Sequence, residues 1–156
     1  MRDEGAKRAA EEYLAAKLSE EGQNHEAQLN REAAMTLGFT VWQRLADTVS
    51  TQIREWNNVT NEQTLTCKET ALGDLRIRCA GRPHQMLVHY ESRKLLVTIK
   101  NTARPDTEPD TYLTVEGYPT PTGRNAHLVR NNEPANLEML ILGHLRVLAG
   151  LSQRAE

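Results

Sequence analysis

Lys68, Arg76, Arg78 and Lys100 recur at alternate positions in stretches whose intervening residues are apolar. If those stretches are strands, all four lie on the face opposite Leu65, Cys67, Leu75, Ile77, Cys79, Val97 and Ile99, with Thr64, Thr66, Thr98 and Thr114 around them. An open sheet face of cations and hydroxyls can hold a phosphate-bearing or acidic protein partner. The same residue types are also ordinary on a solvated strand, where lysine discourages edge pairing. The pattern therefore nominates a candidate anion- or partner-binding face and stops there. Tyr90 is the one aromatic residue placed on that face, too few to stack successive bases, so nucleic acid is not the expected partner.

A second, weaker polar set is His89, Glu91 and His127. His89 and Glu91 share one side of a strand, and His127 stands near Arg124 and Arg130, where it could join an anion site. Two ligands without a defined third do not make a metal site, so none is expected. His144 falls within an apolar helical stripe and reads as a hydrogen-bonded core histidine. Cys67 and Cys79 alternate with polar residues on two neighbouring strands and read as reduced, inward-facing thiols, with a three-residue loop setting them directly opposite. Asp106 to Asp110 alternates acids but lacks the glycine and the spaced oxygen ligands of a calcium loop, and reads as a solvated connector. No phosphate loop, dinucleotide fingerprint, nucleophile elbow or zinc-protease motif occurs. No cofactor is expected, and an enzyme is the lesser reading.

The elements that would position these residues follow from periodicity. Asp3 to Glu21 has a helix-forming composition, but its apolar positions spread around the wheel, predicting a weakly docked helical arm over 1–22. Gly22-Gln23-Asn24 is read as a break. A second helix then runs from about His25 to Trp56, with Met35, Phe39, Trp42, Leu45, Ala46, Val49, Ile53 and Trp56 as its buried stripe, both tryptophans mostly buried, Leu37 and Val41 off it, and Gly38 on the buried face, where a missing side chain allows close approach or a mild kink. After Asn58 the period changes to two, giving strands near Leu65–Cys67, Leu75–Cys79, Gln85–Glu91, Leu95–Asn101, Thr111–Gly117 and a possible sixth at Ala126–Arg130. A final helix spans about Pro134 to Ser152, its stripe formed by Leu137, Leu140, Ile141, His144, Val147, Leu148 and Leu151. The expected fold is a single α+β domain over 1–156: a long N-terminal helical region, a five- or six-stranded antiparallel meander and a C-terminal helix, with the helices on one face of the sheet.

Composition narrows the function class. Of 156 residues, 26% are charged and 38% hydrophobic, which suits a folded globular domain. No apolar run approaches the ~20 residues of a membrane helix, so no membrane association is expected. Met1 to Lys17 has no signal-peptide apolar core, so the cytoplasm is the expected location. The net charge of −2 hides a basic middle, +4 over 58–105, between acidic ends of −3 each. The leading expectation is a non-enzymatic binding or assembly module that forms a homodimer through its N-terminal helices, with Tyr13, Leu14, Leu18, Leu37 and Val41 as candidate contacts. The alternative is a small-molecule binder with a cavity between helix and curved sheet.

Overall fold

The computed structural model describes residues 4–152. Its elements, in chain order, are α1 (Glu4–Thr60), β1 (Leu65–Glu69), β2 (Leu75–Cys79), β3 (Gln85–Glu91), β4 (Leu96–Asn101), β5 (Thr111–Thr120), β6 (Gly123–Arg130), β7 (Glu133–Pro134) and α2 (Leu137–Leu148). All seven strands form one antiparallel sheet in sequence order. The α+β meander expected from periodicity is therefore present, with one strand more. The extra strand, β7, holds two residues that continue the turn after Arg130, too few to show a period.

One face of every long strand is buried. Leu65, Ile77, Met86, Val88, Val97, Ile99, Leu113, Val115, Ala126 and Leu128 point inward, and Ala34, Val41, Leu45, Val49 and Ile53 of α1 and Ile141, Leu145 and Leu148 of α2 close over them. Lys68, Arg76, Arg78 and Lys100 are exposed on the opposite face. Both helices thus cover a single sheet face, α1 lying over β5, β6 and β1, and α2 against α1 and β3.

Helix α1 is the main departure from the expected elements. It runs unbroken for 57 residues, roughly 85 Å at 1.5 Å per residue, straight through Gly22-Gln23-Asn24. Asp3, the expected first residue of the arm, lies outside the described residues. The flanking segments are strong helix formers, and Glu4 to Glu21 has no coherent apolar face with which to fold back. One glycine costs only about 1 kcal/mol, too little to stop the helix without a competing contact. The helix ends where Asn61 turns left-handed at φ 56°. Asn57 then clamps the first strand: its Nδ2 donates to the Leu65 carbonyl at 2.8 Å, and its Oδ1 accepts from the Leu65 N–H at 2.9 Å.

The buried stripe of α1 is also rotated from the expected one. It consists of Ala34, Gly38, Val41, Leu45, Val49 and Ile53. Met35 and Phe39 are 62% and 64% exposed, and Trp42 and Trp56 are half-buried rather than mostly buried. Two close approaches force the rotation. A side chain on Gly117 of β5 would run into the Asn30 carbonyl of α1, and one on Gly38 would run into the Tyr90 hydroxyl. Backbone and ring come so near that only small residues fit between, and the bulkier Met35 and Phe39 are pushed aside.

Helix α2 begins at Leu137, three residues after the expected Pro134, which belongs to β7. Asn136 caps it, accepting from the Met139 N–H at 3.2 Å. The helix ends at Leu148, so Leu151 lies beyond it, 49% exposed. Inside, His144 is buried between Asn101 and Thr111, its Nδ1 3.3 Å from Asn101 Nδ2 and its Nε2 3.1 Å from Thr111 Oγ1. Burial first, and then the positive charges of Arg104 and Arg130, lower its pKa to about 4. It is the neutral core histidine the apolar stripe implied.

Candidate functional site

The strand register assembles the four basic residues into rows. Lys68 sits opposite Arg76, Arg76 opposite Leu87, and Leu87 opposite Lys100, so one row crosses four strands. At about 4.8 Å per strand, Lys100 stands roughly 10 Å from Arg76. Arg78 lies in the next row between Thr66 and Gln85, and its Nη2 donates to Gln85 Oε1 at 3.2 Å. Among the described residues, Lys68, Arg76 and Lys100 make no side-chain hydrogen bond or ion pair. Their charge is unneutralised and faces solvent.

The opposite flank of the Lys68–Lys100 row is polar and aromatic. His89 pairs with Asp74 through Nδ1 and lies opposite Thr98, which in turn faces Tyr112, 53% exposed. Tyr112, not Tyr90, is therefore an aromatic residue of this face, and the expectation for Tyr90 is corrected. Tyr90 turns inward and stacks on Trp42 at 5.7 Å and 17°, because the helix presents Gly38 beside it. Burial raises its phenol pKa. The alternation of Thr111 and Leu113 around Tyr112 was the available sequence signal.

His89, Glu91 and His127 are not brought together. Glu91 reaches Lys94 at 3.8 Å, and His127, on β6, stacks on Tyr118 at 4.3 Å opposite Glu116. Arg124 turns to the other side of the sheet, donating to Asn30 and, at 2.8 Å, to Glu26 of α1, so it does not join His127 in an anion site. Among the described residues no group of three or more His, Cys, Asp or Glu side chains is placed to hold a metal ion. Arg104 ties the acidic loop back by bonding Glu108 at 2.8 Å and the Pro109 carbonyl at 3.3 Å.

Cys67 and Cys79 are free and share the inner face, but they are not opposite each other. Cys67 faces Ile77 and Cys79 faces Leu65. The turn between β1 and β2 is centred on Leu72 rather than Gly73, the Thr70 N–H donating to the Asp74 carbonyl at 2.8 Å, which slides the register by two. Burial, and then the nearby Glu69 charge, raise the Cys67 pKa, leaving a poorly reactive thiol.

A second candidate surface lies along α1. Every residue from 4 to 28 is exposed, and residues 4–25, about 33 Å of helix, precede the Glu26–Arg124 pair that ties α1 to β6. Tyr13, Leu14 and Leu18 on it are 66%, 55% and 67% exposed. Leu37 and Val41 are not available beside them. Val41 is 4% exposed and Leu37 packs on the core, so both are removed from the list of candidate dimer contacts. Their place is taken by Met35 and Phe39, which line a groove of about 520 Å³ with Trp42, Tyr90 and the β1–β2 turn residues Leu72 and Gly73.

Known proteins add nothing to this geometry. No family model, curated protein or solved structure matches the chain. Among the described residues no helix is long and apolar enough to cross a membrane.

Proposed function

We propose that this chain is a cytoplasmic, non-enzymatic assembly module that forms a homodimer through the N-terminal half of α1. The observation that carries this is the length of helix, residues 4–25, that makes no hydrogen bond or ion pair with another element yet displays Tyr13, Leu14 and Leu18. Exposed apolar side chains on a bare helix are stabilised by covering them, and a two-fold pair of identical chains is the commonest way to do so. The layer between α1 and the sheet is filled by Leu45, Val49, Met86, Ile99 and Leu113, which favours a packed core over the small-molecule reading. Sedimentation equilibrium of the full chain at high micromolar concentration is expected to give twice the chain mass. A species that stays at 17.6 kDa rejects the homodimer.

The row Lys68–Arg76–Lys100 favours a second reading, in which the open sheet face holds an acidic or phosphate-bearing partner. Its cations have no internal carboxylate to neutralise them. Binding of inorganic polyphosphate, followed calorimetrically at low salt, is expected to weaken in Arg76→Glu. Equal heats from both proteins would dismiss this face.

A further inference from the structure

Four of the exposed apolar side chains of α1 form two groups in register with each other. Leu14 and Leu18 stand on the arm, Met35 and Phe39 beside the sheet. Leu14 to Met35 and Leu18 to Phe39 are equal separations of three heptads, so both pairs follow one seam at coiled-coil period. Trp42 extends that seam, while Glu21, His25, Gln28 and Glu32 make its middle polar.

The sheet end of the seam is a groove rather than a ridge. Met35, Phe39 and Trp42 form one wall, and Leu72, 86% exposed on the β1–β2 turn, stands across from them. A wall on each side restricts the occupant to something as slim as a bare helix. Residues 4–25 of this chain are a bare helix with leucines at the matching spacing. Residues 34–53 carry a sheet against their adjacent face and cannot enter.

Building on the homodimer reading, we propose that the groove receives Leu14 and Leu18 of a second copy, with the two α1 helices antiparallel about a two-fold axis between Glu26 and Ala27. That axis sets Leu14 against Phe39 and Leu18 against Met35 simultaneously, and symmetry repeats both contacts at the other end. The arm of each chain then lies in the groove of the other, and both exposed apolar groups are covered by one operation. Glu21 faces Glu32 near the middle, a like-charge layer that weakens the centre and leaves the affinity to the two apolar ends.

Cross-linking on the full chain reads the pairing. An equimolar mixture of L14C and F39C chains, both altered at exposed positions, is expected to yield a mixed covalent dimer with a short bismaleimide. The unaltered chain reports any background from Cys67 and Cys79. Phe39→Glu and Leu72→Glu are each expected to raise the dimer dissociation constant about tenfold or more in sedimentation equilibrium, with an unchanged circular dichroism spectrum showing that they fold. A dimer in which L14C chains join one another and never F39C overturns the antiparallel pairing and leaves the homodimer standing. Unchanged dissociation constants for both variants overturn the groove as the contact. A full chain that is monomeric overturns the homodimer reading itself.

Discussion

The two halves of α1 share one helical axis and are held by opposite means. Residues 4–25 are rich in Ala, Glu, Lys and Leu, bond to no other element, and stay helical by propensity. Residues 34–53 include Gly38, Thr40, Val41, Thr48, Val49, Thr51 and Ile53, all poorer helix formers, and stay helical because one face is buried. An isolated helix must first form a costly nucleating turn before it can propagate. Here the buried half supplies the nucleus, and the arm need only propagate from it. Packing in one half thus enables propensity in the other, and the dependence runs one way.

The sharpest test of that asymmetry is a matched pair of truncations. Leu45 is fully buried and Leu14 is 55% exposed. Leu45→Ala is expected to cost about 2–5 kcal/mol of unfolding free energy through lost burial and the cavity left behind. Leu14→Ala should stay within about 0.5 kcal/mol when both are measured by urea unfolding below the dimerisation concentration. Comparable losses at the two sites would show that the arm packs on the core after all.

Acid offers a test of the buried half. Gln52 of α1 donates to the Glu138 carbonyl of α2 at 2.7 Å, so α2, with His144 at its centre, buttresses that half. The unfolded chain protonates this histidine near the ordinary value of about 6.5, whereas the folded chain does so only near pH 4. The unfolded state therefore binds the extra proton between those values. Stability contributed by the neutral ring is whole above about pH 6.5, falls by on the order of 3 kcal/mol as pH drops through the window, and levels below it. Urea midpoints at successive pH values are expected to follow that course, and His144→Gln, which cannot titrate, to flatten it. An identical slope in the variant would assign the acid sensitivity elsewhere.

What the sequence made legible tracks how much each element depends on its own residues. The strands could be placed because a strict alternation of apolar and polar side chains specifies which face is buried, and this put Lys68, Arg76, Arg78 and Lys100 outward as expected. The Cys67 register depends on where the turn is centred, which alternation does not encode. Gly38 is legible as a close approach on the buried face of α1, but hydrophobicity singles out large side chains and so places Met35 and Phe39 there as well. The actual contact is decided by small ones, where Gly38 meets Tyr90 and Gly117 meets Asn30. The groove at Phe39 and Leu72 was hidden for the same reason: a residue assigned to the core is not considered for a surface.

Gly22 offers the smallest and most local test. It lies inside the arm, six residues before the end of the fully exposed stretch, and a side chain there would meet nothing within 4 Å. If propensity alone holds this half, alanine at 22 should stabilise the local helix by about 0.5–1 kcal/mol, since glycine loses more backbone freedom on becoming helical. Amide hydrogens of residues around 18–26 are then expected to exchange roughly two- to fivefold more slowly, while the global unfolding midpoint hardly moves. The two readouts separate the causes, because exchange in the arm reports local opening and the midpoint reports the packed core. Faster exchange in Gly22→Ala would mean that glycine is required there, as a bend or a point of close approach, and that the arm is not the straight, propensity-held helix on which the comparison rests.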